Sequence, residues 1–192
     1  MQTLKPLILA SGSPRRKELM QTLGLPFGVL VSDAEENFPE DMEPEKVPAL
    51  LSERKAREIL KIRPDALILA SDTVVVLEGR IMNKPYHFEE AREMLEALSG
   101  KVHSVYTAFT LLASDTCITA TDRADVKFKT LSSREIDHYL ENGKPLDKAG
   151  AYGIQEWIGL IAVEKIEGSF FTVMGLPTHL VWREISAGYL QE

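Results

Sequence analysis

Three polar groups interrupt apolar or small-residue stretches of this chain, and their side-chain types suit chemistry on a phosphorylated anion. The first is Ser11-Gly12-Ser13-Pro14-Arg15-Arg16, directly after the apolar run at residues 7–10. Pro14 suits a first helical turn, which makes Ser13 the expected N-cap and places Arg15 and Arg16 inside that turn. Cations there oppose the partial positive charge of a helix N-terminus, at about 0.3–1 kcal/mol each. An anion on the helix end would offset that cost. It would meet backbone N–H groups, the Ser11 and Ser13 hydroxyls and a guanidinium fork together. The alternative is two arginines bent into solvent. The segment is not a P-loop, because no Gly-Lys-Ser/Thr follows at the required spacing.

The second group is Asp72, flanked by Ser71 and Thr73 between Leu67-Ile68-Leu69-Ala70 and Val74-Val75-Val76. Asp is a poor strand residue, and burying its charge without partners is costly. It is either a turn former at a strand end or part of a site at a strand's carboxyl end. In the second case its carboxylate could hold a divalent cation or take a proton from an attacking water. The third is Lys55, which occupies a stripe position between Val47, Leu51, Ile59 and Ile62 on a helical pattern. It either snorkels along its stem or directs its ammonium at an anion. Lys84, in Asn83-Lys84-Pro85, says little alone. Residues 147–155 and 168–177 are rich in small residues and turns, which suits a backbone that closely approaches something. His87, His103, His138 and His179 lack metal-ligand spacing, no HExxH or CxxC occurs, and no Ser-His-Asp nucleophile can be assembled.

The elements expected to carry these residues alternate, which predicts an α/β protein. Strands are expected at 7–10, 27–31 and 66–77, the last bent or interrupted at Ser71-Asp72-Thr73, with helices at 14–23 and 44–62. Glu78-Gly79 reads as a turn. A helix at 88–98 closes on Gly100 as its C-terminal cap. Residues 102–113 and 117–129 read as an antiparallel pair joined at Ser114-Asp115. Ser132 with Glu135 forms a capping box for a helix ending near Gly143. Residues 160–166 read as a strand and 177–189 as the last helix. The sheet is therefore expected to be mixed, with flanking helices.

The 192 residues, 44% of them hydrophobic, suit one domain, with two lobes as a variant. No stretch approaches the apolar length of a membrane span, and the start of the chain is too short in apolar residues for a secretory core. A single cysteine, Cys117, excludes an internal disulfide, suits a reduced compartment and is expected to be a packed or passive thiol. The net charge of −7 disfavours general nucleic-acid binding and points instead to a small anion drawn to local positive clusters.

Taken together, the segments resemble the Maf family of nucleoside-triphosphate pyrophosphatases. The matching pieces are Ser11–Arg16, Glu35, Lys55, Ala70-Ser71-Asp72-Thr73, Lys84-Pro85, Ser99-Gly100, residues 103–107, 147–155 and 168–177, in the family's order along nearly the whole chain. The resemblance implies an elongated α/β fold with a central cleft, similar to inosine-triphosphate pyrophosphatases. It implies hydrolysis of a nucleoside triphosphate to the monophosphate and pyrophosphate with a divalent cation, Mg²⁺ or Mn²⁺, by a cytoplasmic homodimer that engages neither nucleic acid nor membrane. Asp72 would be the proton acceptor, and would hold the cation with Glu35. Ser11, Ser13, Arg15, Arg16, Lys55 and Lys84 would bind the triphosphate, while Arg15, Thr73 and Gln155 would set substrate choice. The run Asp147-Lys148-Ala149-Gly150-Ala151-Tyr152-Gly153-Ile154-Gln155 looks like the branch acting on dTTP and UTP rather than on 7-methyl-GTP. One departure follows it: the family commonly continues with Gly, whereas this chain has Glu156-Trp157. A non-catalytic nucleotide-binding regulator of cell division is the rival expectation, and a phosphomonoesterase or kinase on the same anion site is the other.

Overall fold

The computed structural model describes residues 1–190. Seven strands pair in the order β2-β1-β3-β5-β6-β7, with β4 (Arg80–Met82) attached to β3. The chain divides into two compact units, the first made of Met1–Asp72, Thr107–Asp122 and the segment from Gly175 onward, the second of Thr73–Tyr106 and Arg123–Met174.

In the first unit, β1 (Leu7–Leu9) runs parallel to β2 (Gly28–Val29) on one side and to β3 (Leu67–Leu77) on the other. Parallel neighbours need crossovers, and α1 (Pro14–Thr22) and α2 (Val47–Ile62) supply them. Ala56 and Ile59 of α2 pack on Ile8, Ile68 and Ala70 of the strands, so one face of this part of the sheet is covered. The register sets Leu9 opposite Leu69, and the Ala10 N–H donates to the Leu69 carbonyl at 2.8 Å. Ser11 and Ser71 each stand two residues beyond these partners. Ser11-Gly12-Ser13 thus follow the carboxyl end of β1, while Ser71-Asp72 lie at the same level in the middle of β3, just past its parallel pairing with β1. The last helix, α7 (Thr178–Gly188), closes this unit.

In the second unit, the far part of β3 pairs antiparallel with β4, Val75 opposite Met82. Helix α3 (Phe88–Leu98) is capped by His87, whose ring accepts the Glu90 N–H, and ends at Gly100, which adopts the left-handed φ of +73°. Strands β5 (Val102–Ala113) and β6 (Thr116–Phe128) are neighbours joined at Ser114-Asp115; residues 107–122 of this pair belong to the first unit, and only the start of β5 and the end of β6 to the second. The capping box of α4 (Ser133–Asn142) is complete: Ser132 caps the Glu135 N–H, and Glu135 reaches back to the Ser132 N–H at 2.8 Å. Helices α5 (Trp157–Ala162) and α6 (Phe170–Met174) flank β7 (Val163–Glu167), which runs antiparallel to β6.

Several expectations need correction. The strand expected at 160–166 is split: 157–162 is helical and only 163–167 is extended. A six-residue apolar run carries no decisive period; burial of Ile158, Gly159 and Ala162 follows a helical spacing. The strand expected at 27–31 shrinks to Gly28–Val29, and the helix expected from residue 44 begins with a 3₁₀ turn at Pro44–Lys46. The turn-rich stretch 168–177 holds the short helix α6. Strand β3 runs without a break through Ser71-Asp72-Thr73, because its polar groups find partners within the fold. Of the packed or passive thiol expected at Cys117, only the packed alternative is overturned: the residue is exposed, since it falls on the solvent side of the alternation in β6. No helix among the described residues is long and apolar enough to cross a membrane.

Candidate active site

In the first unit the start of α1 is built as the sequence predicts. The Ser13 hydroxyl accepts the Arg16 N–H at 3.5 Å, and the Ser11 hydroxyl accepts the Ser13 N–H at 3.2 Å. No acidic side chain occupies the first turn. Arg15 and Arg16 are both half-buried. The Arg16 Nε donates to the Gly175 carbonyl at 2.7 Å, and its terminal nitrogen reaches the Ser11 hydroxyl at 3.4 Å. Burial pushes the Arg16 guanidinium below its ordinary pKa and neighbouring Arg15 pushes the same way, while Asp72 and Glu36 pull back. An Arg remains cationic in proteins. Its charge is thus concentrated beside two carboxylates.

Ser71 and Asp72 stand next to it. The buried Ser71 hydroxyl lies 2.8 Å from the Ala108 carbonyl and 3.0 Å from the same Gly175 carbonyl that Arg16 uses. Asp72 is nearly enclosed and meets the Lys55 ammonium at 2.6 Å, with both side chains 12% exposed. Lys55 also meets Glu36 at 2.7 Å. One ammonium therefore bridges two carboxylates beside a partly buried guanidinium. Lys55 does not snorkel, because its Nζ turns inward to Asp72 in the middle of β3. The irregular segment that carries Glu36 is tied to α2 twice more, Ser32 to Glu58 and Asn37 to Arg54.

Of the acids singled out from sequence, Asp72 is thus at the centre of this group. Glu35 is exposed and accepts a hydrogen bond from the Asn37 amide at 2.9 Å. Its neighbour Glu36 was not singled out; the segment has no hydrophobic period that would say which of two adjacent acids turns toward Lys55. Among the described residues no set of three or more His, Cys, Asp or Glu side chains is placed to hold a metal by itself.

In the second unit, Thr73 is half-buried on β3 and Lys84 is exposed after β4. Gln155 is exposed on a tight turn in which the Glu156 N–H donates to the Gly153 carbonyl at 3.0 Å. The loop before it is anchored in the core. Tyr152 shares a 2.8 Å hydrogen bond with His103 Nε2, and the His103, Tyr152 and Phe128 rings pack edge to face. His103 is 1% exposed and its Nδ1 has no hydrogen-bond partner among the described residues. Burial pulls its pKa from 6.5 to about 4, against the pull of Asp125 the other way, so it is neutral at physiological pH. Burial also raises the Tyr152 phenol far above its ordinary range. His103 serves the loop rather than a metal.

Comparison with known proteins gives a consistent picture. The family model for Maf-like proteins matches residues 6–187. A dTTP/UTP pyrophosphatase of Thermotoga maritima is 49% identical over 179 residues, which cover 92% of this chain and 86% of that protein. Those of Cytophaga hutchinsonii and Bacillus cereus are 46% and 43% identical, covering 89% and 96% of this chain and 78% and 90% of their own lengths. Among solved structures, the Ham1 protein of Staphylococcus aureus aligns over 65% of this chain and 72% of its own at 12% identity, with a TM-score of 0.48.

Proposed function

Because the chain belongs to the family of Maf-like proteins, we propose that it is a nucleoside triphosphate pyrophosphatase that hydrolyses dTTP and UTP to the monophosphate and pyrophosphate. The observation that carries this reading is the 43–49% identity, along 89–96% of the chain, to proteins named for that activity. The cluster of Arg16, Lys55, Asp72 and Glu36 supplies chemistry that fits it.

Arg15, Arg16, Lys55 and Lys84, with Ser11, Ser13 and the N–H groups that begin α1, hold the triphosphate. The Asp72 carboxylate orients a water and takes its proton as the oxygen attacks the α-phosphorus. The bond from water oxygen to α-phosphorus forms, the bond from α-phosphorus to the bridging oxygen breaks, and pyrophosphate leaves with that electron pair. Most of the acceleration comes from positioning and fixed charge.

The family implies a divalent cation, and the residues present fit one. Asp72 and Glu36 already hold a cationic group between them, the Lys55 ammonium, and Mg²⁺ commonly uses one or two carboxylates with substrate phosphates completing its shell. Asp72, with Glu36 or Glu35, would hold Mg²⁺ or Mn²⁺, which when bound supplies charge to offset that developing on the leaving pyrophosphate. Gln155 reads the base: its amide donates and accepts at once, matching the carbonyl and N3–H edge shared by uracil and thymine. Arg15 and Thr73 share in substrate choice. A cytoplasmic homodimer without nucleic-acid or membrane partners completes the proposal, and the net charge of −7 supports a small anionic ligand.

The test is a screen of nucleoside triphosphates with Mg²⁺ or Mn²⁺ and identification of the products. Pyrophosphate release from dTTP and UTP supports the reading. Binding without release above background would leave a nucleotide-binding regulator, and orthophosphate release would indicate a different phosphohydrolase.

A further inference from the structure

Gln155 is exposed and makes no side-chain hydrogen bond among the described residues, yet the residues on both sides of it are fixed. Ile154 before it is buried. Glu156 after it has both carboxylate oxygens engaged: the Tyr139 hydroxyl donates to Oε2 at 2.5 Å, and the Lys148 ammonium pairs with Oε1 at 2.8 Å. Lys148 is itself enclosed, 4% exposed, and holds Asp147 at 2.5 Å and the Lys144 carbonyl as well. The pair leaves no room over Gly153, where an added Cβ would fall 2.7 Å from Lys148 Cε and 3.0 Å from Glu156 Cδ. Trp157 then packs on the His138 ring, with centroids 4.6 Å apart. A glutamate that merely solvates a loop would point outward. This one is folded back into the unit and clamps the turn on its C-terminal side.

We propose that Glu156 is a positioning residue for base choice: its anchorage to Tyr139 and Lys148 fixes the direction in which Gln155 presents its amide. The inference rests on the reading of Gln155 as the group that meets the base. An amide rotates to suit either a uracil or a cytosine edge, so selectivity requires that its backbone be held. Glu156 does so without touching substrate.

The test compares kcat/KM for dTTP and CTP in the wild type, Glu156→Ala, Glu156→Gln, Gln155→Ala and the double variant Gln155→Ala/Glu156→Ala. Glu156→Ala is expected to lower the dTTP:CTP ratio by about tenfold or more, mainly through a higher KM for dTTP, because a small displacement of a contacting group is costly. Glu156→Gln, which still accepts from Tyr139, should restore the ratio to within about threefold of wild type. In the Gln155→Ala background, removing Glu156 should change the ratio by less than about twofold, since the two act as one unit. If Glu156→Ala fails to fold, Tyr139→Phe removes one hydrogen bond to the same carboxylate and should lower the ratio by about threefold. A dTTP-preferring wild type whose ratio survives Glu156→Ala, or survives Tyr139→Phe in that case, overturns this proposal alone. So does a loss of ratio that is equally large without Gln155. A wild type with no preference for dTTP over CTP overturns the reading beneath it as well.

Discussion

Arg15 and Arg16 are adjacent and chemically identical, and both were expected to hold the triphosphate, with Arg15 also setting substrate choice, yet Arg16 carries a structural load. Its guanidinium ties α1 to the Gly175 carbonyl and the Ser11 hydroxyl. Arg16→Ala is therefore expected to lower stability by about 1.5–3 kcal/mol, the value of a charge-assisted hydrogen bond. Arg15→Ala should stay within about 1 kcal/mol of wild type, because a charge opposed to the helix dipole is removed. Both should raise KM for the triphosphate; paired thermal melts and kinetics check this. For Asp72→Asn the expected result is a fall in turnover of about 10²-fold or more, since the variant removes the proposed base and a proposed metal ligand. The stability cost should stay near 1–3 kcal/mol rather than that of an orphaned buried charge, because Glu36 remains against Lys55. Near wild-type turnover in the folded variant would remove Asp72 from catalysis. Asp72 was legible because it puts charge where the local pattern calls for an apolar side chain, and the two arginines because they oppose the dipole of the helix they begin. Glu36 was not legible, for its partner Lys55 comes from α2 and nothing local marks it. The anchoring of Glu156 by Tyr139 and Lys148 was equally hidden; the sequence showed only a departure after Gln155.

At the scale of elements, the strong periodic segments and caps were readable, and the short apolar ones were not. Helices α3 and α4 stand where spacing and capping residues put them, because local chemistry decides their ends, and α2 follows its apolar spacing without a side-chain cap. Ser132→Ala should accordingly cost about 1 kcal/mol, read from the urea midpoint, as the loss of an N-cap. The division of 157–167 into α5 and β7 depends on tertiary packing, chiefly the pressing of Gly159 on the Ile154 backbone. A Cβ there would lie 2.1 Å from the Ile154 carbonyl oxygen. Gly159→Ala is expected to cost about 2 kcal/mol or more, since backbone cannot yield as a side chain does. It should also impair base selectivity, because Ile154 adjoins Gln155. Unchanged stability would show that α5 is placed by something else. The continuity of β3 teaches the same lesson. A Ser-Asp-Thr interruption looks like a break only until Lys55 and the Ala108 and Gly175 carbonyls arrive from distant positions.

For the molecule as a whole, acid stability follows from His103. Its imidazole binds a proton near pH 6.5 when unfolded and only near pH 4 when folded. The unfolded state therefore binds more protons between those values, and stability falls as pH falls from 6.5 to 4. The full effect is no more than about 3 kcal/mol. Glu135, held near 2 by Lys129 and Ser132, loses its contribution in the separate window from 4.5 downward. Urea titrations at pH 7 and pH 5 should show this slope in the wild type and a clearly smaller one in His103→Gln, and equal slopes would refute the buried neutral imidazole. The central claim is that a carboxylate beside a cationic cluster directs water at the α-phosphorus of dTTP and UTP. Its most direct measurement is product identification after incubation of each nucleotide with the protein and Mg²⁺ in ¹⁸O-labelled water. The account predicts dTMP or UMP carrying the label, with unlabelled pyrophosphate, and slower turnover of CTP and 7-methyl-GTP. Label in pyrophosphate or orthophosphate would contradict it, as would turnover of CTP or 7-methyl-GTP as efficient as that of dTTP.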